Sequence, residues 1–165
     1  MADIDSTTMA NLNATPRVRA NTAKGGILKS AIETVEVSTA TDAADVIYFF
    51  TVPSSASPRA LKVWSDAAIT SGAGDIGIYR TADDGGAVVD ADLFASALAI
   101  GGGLTGADQM FESGIIDEGE VGQPLWQLAA LSADPNCYFV VAMTVTTDMG
   151  AGGTLSVELQ YVDTN

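Results

Sequence analysis

Two stretches near the end of the chain constrain the fold more than any other feature. CYFVVAMTVTT at 137–147 is a long β-branched and aromatic run. TLSVELQYV at 154–162 sets Leu155, Val157, Leu159 and Tyr161 against Thr154, Ser156, Glu158 and Gln160. Alternation with a period of two belongs to a half-buried strand, because successive side chains point to opposite faces. The segment 148–153 between them is glycine-rich, so the pair is expected to form a hairpin with that segment at its tip.

Shorter runs of the same kind recur upstream: Ile27 to Val37, VIYFFTV at 46–52, Ala60 to Trp64 and DIGIYR at 75–80, bounded by Gly, Pro, Ser or Asp. Phe111 to Ile116 reads as a weaker strand. Two segments change character. DADLFASALAI at 90–100 places Phe94, Ala97 and Leu98 at i, i+3, i+4 spacing, with Asp90 or Asp92 as a cap, and predicts a short helix ended by Gly101-Gly102-Gly103. Pro124 to Leu131 predicts one helical turn with Leu125 and Leu128 on one side.

Seven or eight short strands with two helical insertions indicate an all-β, single-domain β-sandwich or jelly roll over residues 26–165. The expected core is Ile47, Phe49, Leu61, Val63, Ile76, Ile78, Phe139, Val141, Met143, Val145, Leu155, Val157 and Leu159. At 165 residues the chain suits one core. Residues 1–25 have no sustained periodicity and few large apolar side chains, and read as an extended arm, either disordered or ordered by a partner.

The residue inventory excludes much chemistry. There is no histidine, which removes the commonest general base and metal ligand, and one cysteine, which rules out an internal disulfide or a thiolate zinc cage. Cys137 is expected as a small buried apolar residue. Gly101-Gly102-Gly103-Leu104-Thr105-Gly106 lacks the Lys and Ser/Thr of a phosphate loop and reads as a flexible loop. Asp83, Asp84, Asp90 and Asp92 could offer oxygen ligands to calcium, but their spacing does not match a calcium-binding helix–loop–helix, and a solvated turn followed by a helix cap is the simpler reading. Asp117, Glu118 and Glu120 read as a surface turn. Trp64 and Trp126 sit in apolar patterns and read as core before sugar platform.

Charge is distributed unevenly. The chain has 21 acidic and 7 basic side chains, net −14, and all cations lie at or before Arg80. Such a field repels phosphate backbones and anionic membranes, so neither nucleic acid nor membrane is expected as a partner. No cofactor is expected. The N-terminal sequence has no secretory h-region, and synthesis in a cytoplasm is expected. Arg17, Arg19, Lys24 and Lys29 gather at or near the arm, which can lie on an acidic neighbour; these are the candidate partner-binding residues.

The sequence also resembles a family of small virion proteins of tailed bacteriophages, the capsid decoration or cement (head-stabilising) proteins encoded near the major capsid protein. The resemblance runs through STTMANLNATPRVRA, FFTVPSSA, LKVWSDAAITSGAGDIGIYRTADDGGAVVDADLFASAL, the ESGI at 112–115, QPLWQLAALSADPNCYFVVAMTV and GGTLSVELQYV. It implies a non-catalytic protein on the outer capsid surface that binds the major capsid protein and stabilises the head. Many copies on a shell favour a homo-oligomer, a trimer first and a dimer second. A tail or fibre component and a carbohydrate-binding sandwich are the alternatives.

Overall fold

The alternating runs fold as strands close to their expected positions. The computed structural model describes residues 26–163, which form eight strands: β1 (Ile27–Val37), β2 (Val46–Pro53), β3 (Ser57–Ser65), β4 (Ala73–Arg80), β5 (Val88–Ala99), β6 (Leu104–Asp108), β7 (Tyr138–Thr147) and β8 (Gly153–Asp163). Short 3-10 turns occupy Ala82–Asp84 and Glu118–Glu120, and α1 covers Leu125–Leu128. No helix among the described residues is long and apolar enough to cross a membrane.

Two four-stranded sheets result, in the orders β1-β8-β3-β6 and β2-β7-β4-β5. The antiparallel pairs β1·β8, β2·β7, β3·β6 and β4·β5 belong to one long ribbon, with β1–β4 running out and β5–β8 running back. Wrapping that ribbon sends alternate pairs to opposite sheets, which is the jelly-roll arrangement of the all-β sandwich. The inner faces meet through residues from both sheets. Leu61, Val63, Val157 and Leu159 from one sheet and Ile76, Ile78, Phe139 and Val141 from the other are fully buried. Every expected core residue is buried except Phe49. That residue is the extra one in a β2 bulge between Tyr48 and Phe50, and it packs half-buried against the core.

Three expectations are corrected. The first is the β7–β8 hairpin: β7 pairs with β2 and β4, and β8 pairs with β1 and β3, in different sheets. The connection between them bridges the sandwich. Met149 is buried at 3% exposure, its N–H donates to the Thr41 carbonyl at 3.1 Å, and the Gly150 N–H donates to the Ser71 carbonyl at 3.3 Å. Alternation marks a strand as half-buried but does not name its partner.

The second is the helix at 90–100, which is strand β5. Ala97 adopts a left-handed φ of 51°, incompatible with a continuing helix, and its N–H donates to Asp75 Oδ1 at 2.6 Å. Consequently Asp90 and Asp92 cap no helix.

The third is the strand at 111–116, which is a run of turns; the strand there is β6, at 104–108. Asp108 ends it by accepting N–H groups from both Leu61 and Met110 at 3.0 Å. Met110 and Ile116 are buried, while Phe111 and Ile115 are each 40% exposed. The stretch Gly101–Gly106 is therefore a turn leading into a strand rather than a flexible loop. Gly106, at φ 80°, leaves room for the Trp64 ring: a Cβ there would sit 2.5 Å from the indole. Trp64 is half-buried on the outward side of its sheet, beside Ser156, instead of in the core.

The predicted helical turn near Pro124 is present as α1, with Leu125 and Leu128 buried. It docks on the buried Ser54–Ala56 segment, with Leu125 N–H donating to the Ala56 carbonyl at 2.8 Å and Trp126 N–H to the Ser54 carbonyl at 3.2 Å. Trp126 packs partly buried against the core. Cys137 is half-buried, not fully enclosed, with Sγ 3.4 Å from Arg80 Nη1.

Candidate interaction surfaces

Of the four basic residues singled out in the sequence, Arg17, Arg19 and Lys24 lie outside the described residues. Lys29 lies on β1, near the start of the described chain. Its Nζ is 2.7 Å from Asp163 Oδ2 at the end of β8, and this hydrogen bond to a carboxylate raises its pKa above the ordinary lysine value.

The carboxylates distribute as local structure. Asp83 and Asp84 sit in the 3-10 turn after β4, where Asp84 Oδ2 is 3.1 Å from Arg80 Nη1. Asp90 and Asp92 sit in β5. Among the described residues no three acidic or cysteine side chains come together as a metal-binding group. Asp117 and Glu120 form a capping box around the 3-10 turn Glu118–Glu120, with the Asp117 N–H donating to Glu120 Oε2 at 3.2 Å.

Burial raises the pKa of Asp90, because a partly desolvated site disfavours the charged form. The ionised group thus opposes folding at neutral pH, and this cost disappears as pH falls through its raised folded-state pKa. Asp90→Asn keeps an acceptor for the Asp92 N–H. It is expected to raise Tm by about a degree at pH 7, small because solvent screens the group, with the gain fading on acidification. Paired thermal melts of the variant and parent across pH 3 to 8, roughly the carboxylate range and above, check this.

The two outward sheet faces differ in kind. On the β1-β8-β3-β6 sheet the outward positions mix interlinked polar groups with the exposed Leu28 and Ile32: Ser30 Oγ donates to Glu158 Oε1 at 2.6 Å, and the Thr34 and Ser156 hydroxyls are 2.7 Å apart. The Ser30 hydroxyl is the main cause holding the Glu158 carboxyl below its ordinary pKa. On the β2-β7-β4-β5 sheet, Ile76, Ile78 and Arg80 share the inner face with Met143, Val141 and Phe139, so the intervening residues face out. Arg80 lies over the Phe139 ring at 5.5 Å from its centroid. The outward set includes Tyr48, Thr51, Val88, Tyr138 and Val140, with Asp75 opposite Thr144 as a charged member. Tyr48, Val88 and Tyr138 are exposed by 54%, 57% and 60%. The Tyr48 ring meets the Tyr79 ring edge-on at 6.1 Å, and the Tyr79 hydroxyl hydrogen-bonds Thr144. A shallow pocket of about 320 Å³ opens beside Tyr48 and Val140. In a chain of net charge −14, a sheet face that exposes two tyrosines and a valine has the composition of a protein contact. The sequence reading passed over it; the available signal was a tyrosine at an outward position in each of the runs VIYFFTV and CYFVV.

No protein-family model matches this chain, and neither does any curated protein. In fold the chain is similar to a chain of the cyanophage Pam1 capsid asymmetric unit. The two share 13% identity with a TM-score of 0.53, over 91% of this chain and 96% of the other. At that identity the likeness is one of fold, extending over nearly the full length of both chains.

Proposed function

We propose that this chain is a non-catalytic structural protein of a phage virion, docking on the outer capsid surface and stabilising the head. The observation that carries the reading is the fold likeness to a capsid-unit chain across nearly the whole of both proteins. The sequence resemblance to decoration and cement proteins points the same way. In this reading residues 26–165 are the docking domain and residues 1–25 are an arm. Arg17, Arg19 and Lys24 of the arm, with Lys29 at its root, contact the major capsid protein or a sister subunit. The protein is made in the host cytoplasm, assembles as a homo-oligomer and then joins the shell. Its acidity keeps it off nucleic acid before docking.

The test is binding of the purified full chain to purified capsids that lack it, followed by electron cryomicroscopy. Saturable density on the outer shell is expected. Deleting residues 2–24 is expected to leave Tm unchanged within about 2 °C, since the sandwich core lies elsewhere, and to weaken shell binding at least about tenfold, the equivalent of ~1.4 kcal/mol. Undiminished decoration by the truncated chain would remove the arm from the mechanism, and absence of binding to any shell would reassign the protein to the tail or fibre.

A further inference from the structure

Each sheet has two edges, and a strand edge offers unpaired N–H and C=O groups to another chain unless something blunts it. In the described structure three of the four edges are blunted. β6 is five residues long and its pairing with β3 is broken by a register shift. β2 carries the Phe49 bulge and ends in Pro53. β5 departs from regular pairing at three places. β1 differs from all of them: it is 11 residues long, contains no proline, and pairs with β8 from Ile27 to Val37 without a register shift. No other described strand pairs with its second edge. It also exposes Ile27, Leu28 and Ile32 at 77%, 60% and 56%.

We propose that two copies of this chain join edge to edge through β1, antiparallel about a two-fold axis at Ala31. The strand is self-complementary in that register. Lys29 falls opposite Glu33 of the partner subunit, and Glu33 opposite the partner's Lys29, so the axis produces two opposite-charge pairs at once. Leu28 and Ile32 lie on one face with their symmetry mates, and the partner's Ile32 is the diagonal neighbour of Ile32. Ile27 falls opposite the partner's Val35. That position lies at a groove of about 410 Å³ between the end of β1 and the start of β2, lined by Val35, Val46 and Tyr48 among others. The rest of the lining includes Glu36, Thr41 and Asp45, so the incoming isoleucine seats against Val35 and Val46 rather than the acidic side. A register shifted by one residue would put lysine against threonine and send the exposed apolar residues to the wrong faces. This pairing is a property of the chain itself and holds whether or not the chain binds a capsid.

Sedimentation equilibrium of the full chain over a concentration series tests it. The parent is expected to be a dimer. Glu33→Lys and Lys29→Glu each set like charges opposite one another twice, and each is expected to raise the dimer Kd at least about tenfold. Mixing the two variants is expected to give a heterodimer, because both lysines of the first then face both glutamates of the second. Ile32→Asp, which leaves the Lys29–Asp163 bridge intact, is expected to abolish dimerisation as well, and circular dichroism confirms that each variant is folded. A parent that is monomeric or trimeric overturns the proposal. So do a Glu33→Lys variant that dimerises like the parent and a variant mixture that stays monomeric. Loss of the dimer on deleting residues 2–24 also overturns it, by making the arm the occupant of this edge.

Discussion

Gly77→Ala is expected to destabilise the protein by about 3 kcal/mol or more, near the upper end for overpacking a filled site. Gly77 sits in the middle of β4 with a buried backbone, and a Cβ added there would lie 2.0 Å from the Asp90 carbonyl oxygen and 2.5 Å from the Ala91 backbone. Those atoms belong to the backbone of β5, which cannot swing aside as the tip of a flexible side chain would. Either the two strands separate, breaking the β4·β5 pairing on both sides, or β4 distorts against β7. A loss of this size is a large share of the roughly 5–15 kcal/mol that holds an ordinary domain together. Urea denaturation followed by circular dichroism reads it as a lower midpoint, and Tm should fall by roughly 6–12 °C for a chain of this size. Gly119→Ala is the matched control: a Cβ there meets nothing within 4 Å, and its stability should stay within about 0.5 kcal/mol of the parent.

Phe94→Ala is expected to cost about 3–5 kcal/mol, the range for deleting a fully buried aromatic side chain. Phe94 has no exposure and belongs to the central core cluster. It reaches the core because β5 is not a regular strand. From Ile76 to Ile78 β4 advances two residues, while its β5 partners run from Ala95 back to Asp90, a span of five. The residues in excess bulge away from the ladder and carry Leu93 and Phe94 inward, both completely buried. Gly77 and Phe94 are therefore two sides of one device. The missing side chain at 77 lets the β5 backbone approach, and the bulge it accommodates delivers a phenylalanine to the core. Chemical denaturation of Phe94→Ala should show the loss at an unchanged dependence on denaturant. A cost under about 1 kcal/mol would mean that the bulge does not pack as described.

The same segment explains where the sequence was misleading. Phe94, Ala97 and Leu98 have the i, i+3, i+4 spacing of a helix face, and DADLFASAL carries a capping aspartate and helix-forming alanines. Only the neighbouring strand decides otherwise. Asp75 of β4 accepts the Ala97 N–H and holds that residue left-handed, and β4 supplies the ladder that draws the segment into a sheet. The 111–116 segment failed for a related reason: of its large apolar residues only Ile116 is buried, and it lies with the buried Met110 among turns rather than along a ladder.

The candidate sites divide in the same way. Lys29 was legible as one of four cations near the start of the chain, but its ion pair with Asp163 depends on β1 meeting β8 across 134 residues of sequence. The tyrosine face was legible only in part: alternation placed Tyr48 and Tyr138 opposite the core residues of their runs, but that the two strands lie side by side and share one face depends on the β2·β7 register. The open edge of β1 could not be read either, because being an edge depends on what the rest of the chain leaves unpaired.

By itself the sequence determined which segments are strands wherever alternation was clean, the side of each that is buried, and the charge and residue chemistry that narrow the function. These are local properties, set by the two-residue period of an extended chain and by side-chain type. Tertiary structure alone decided that β7 and β8 part into opposite sheets, that residues 88–99 form a bulged strand, and that β1 rather than another strand is left long and open. The physical reason is that backbone hydrogen bonds between strands carry no side-chain signature. A strand's partner is chosen by the global arrangement that buries every apolar face at once, and no segment contains that information alone.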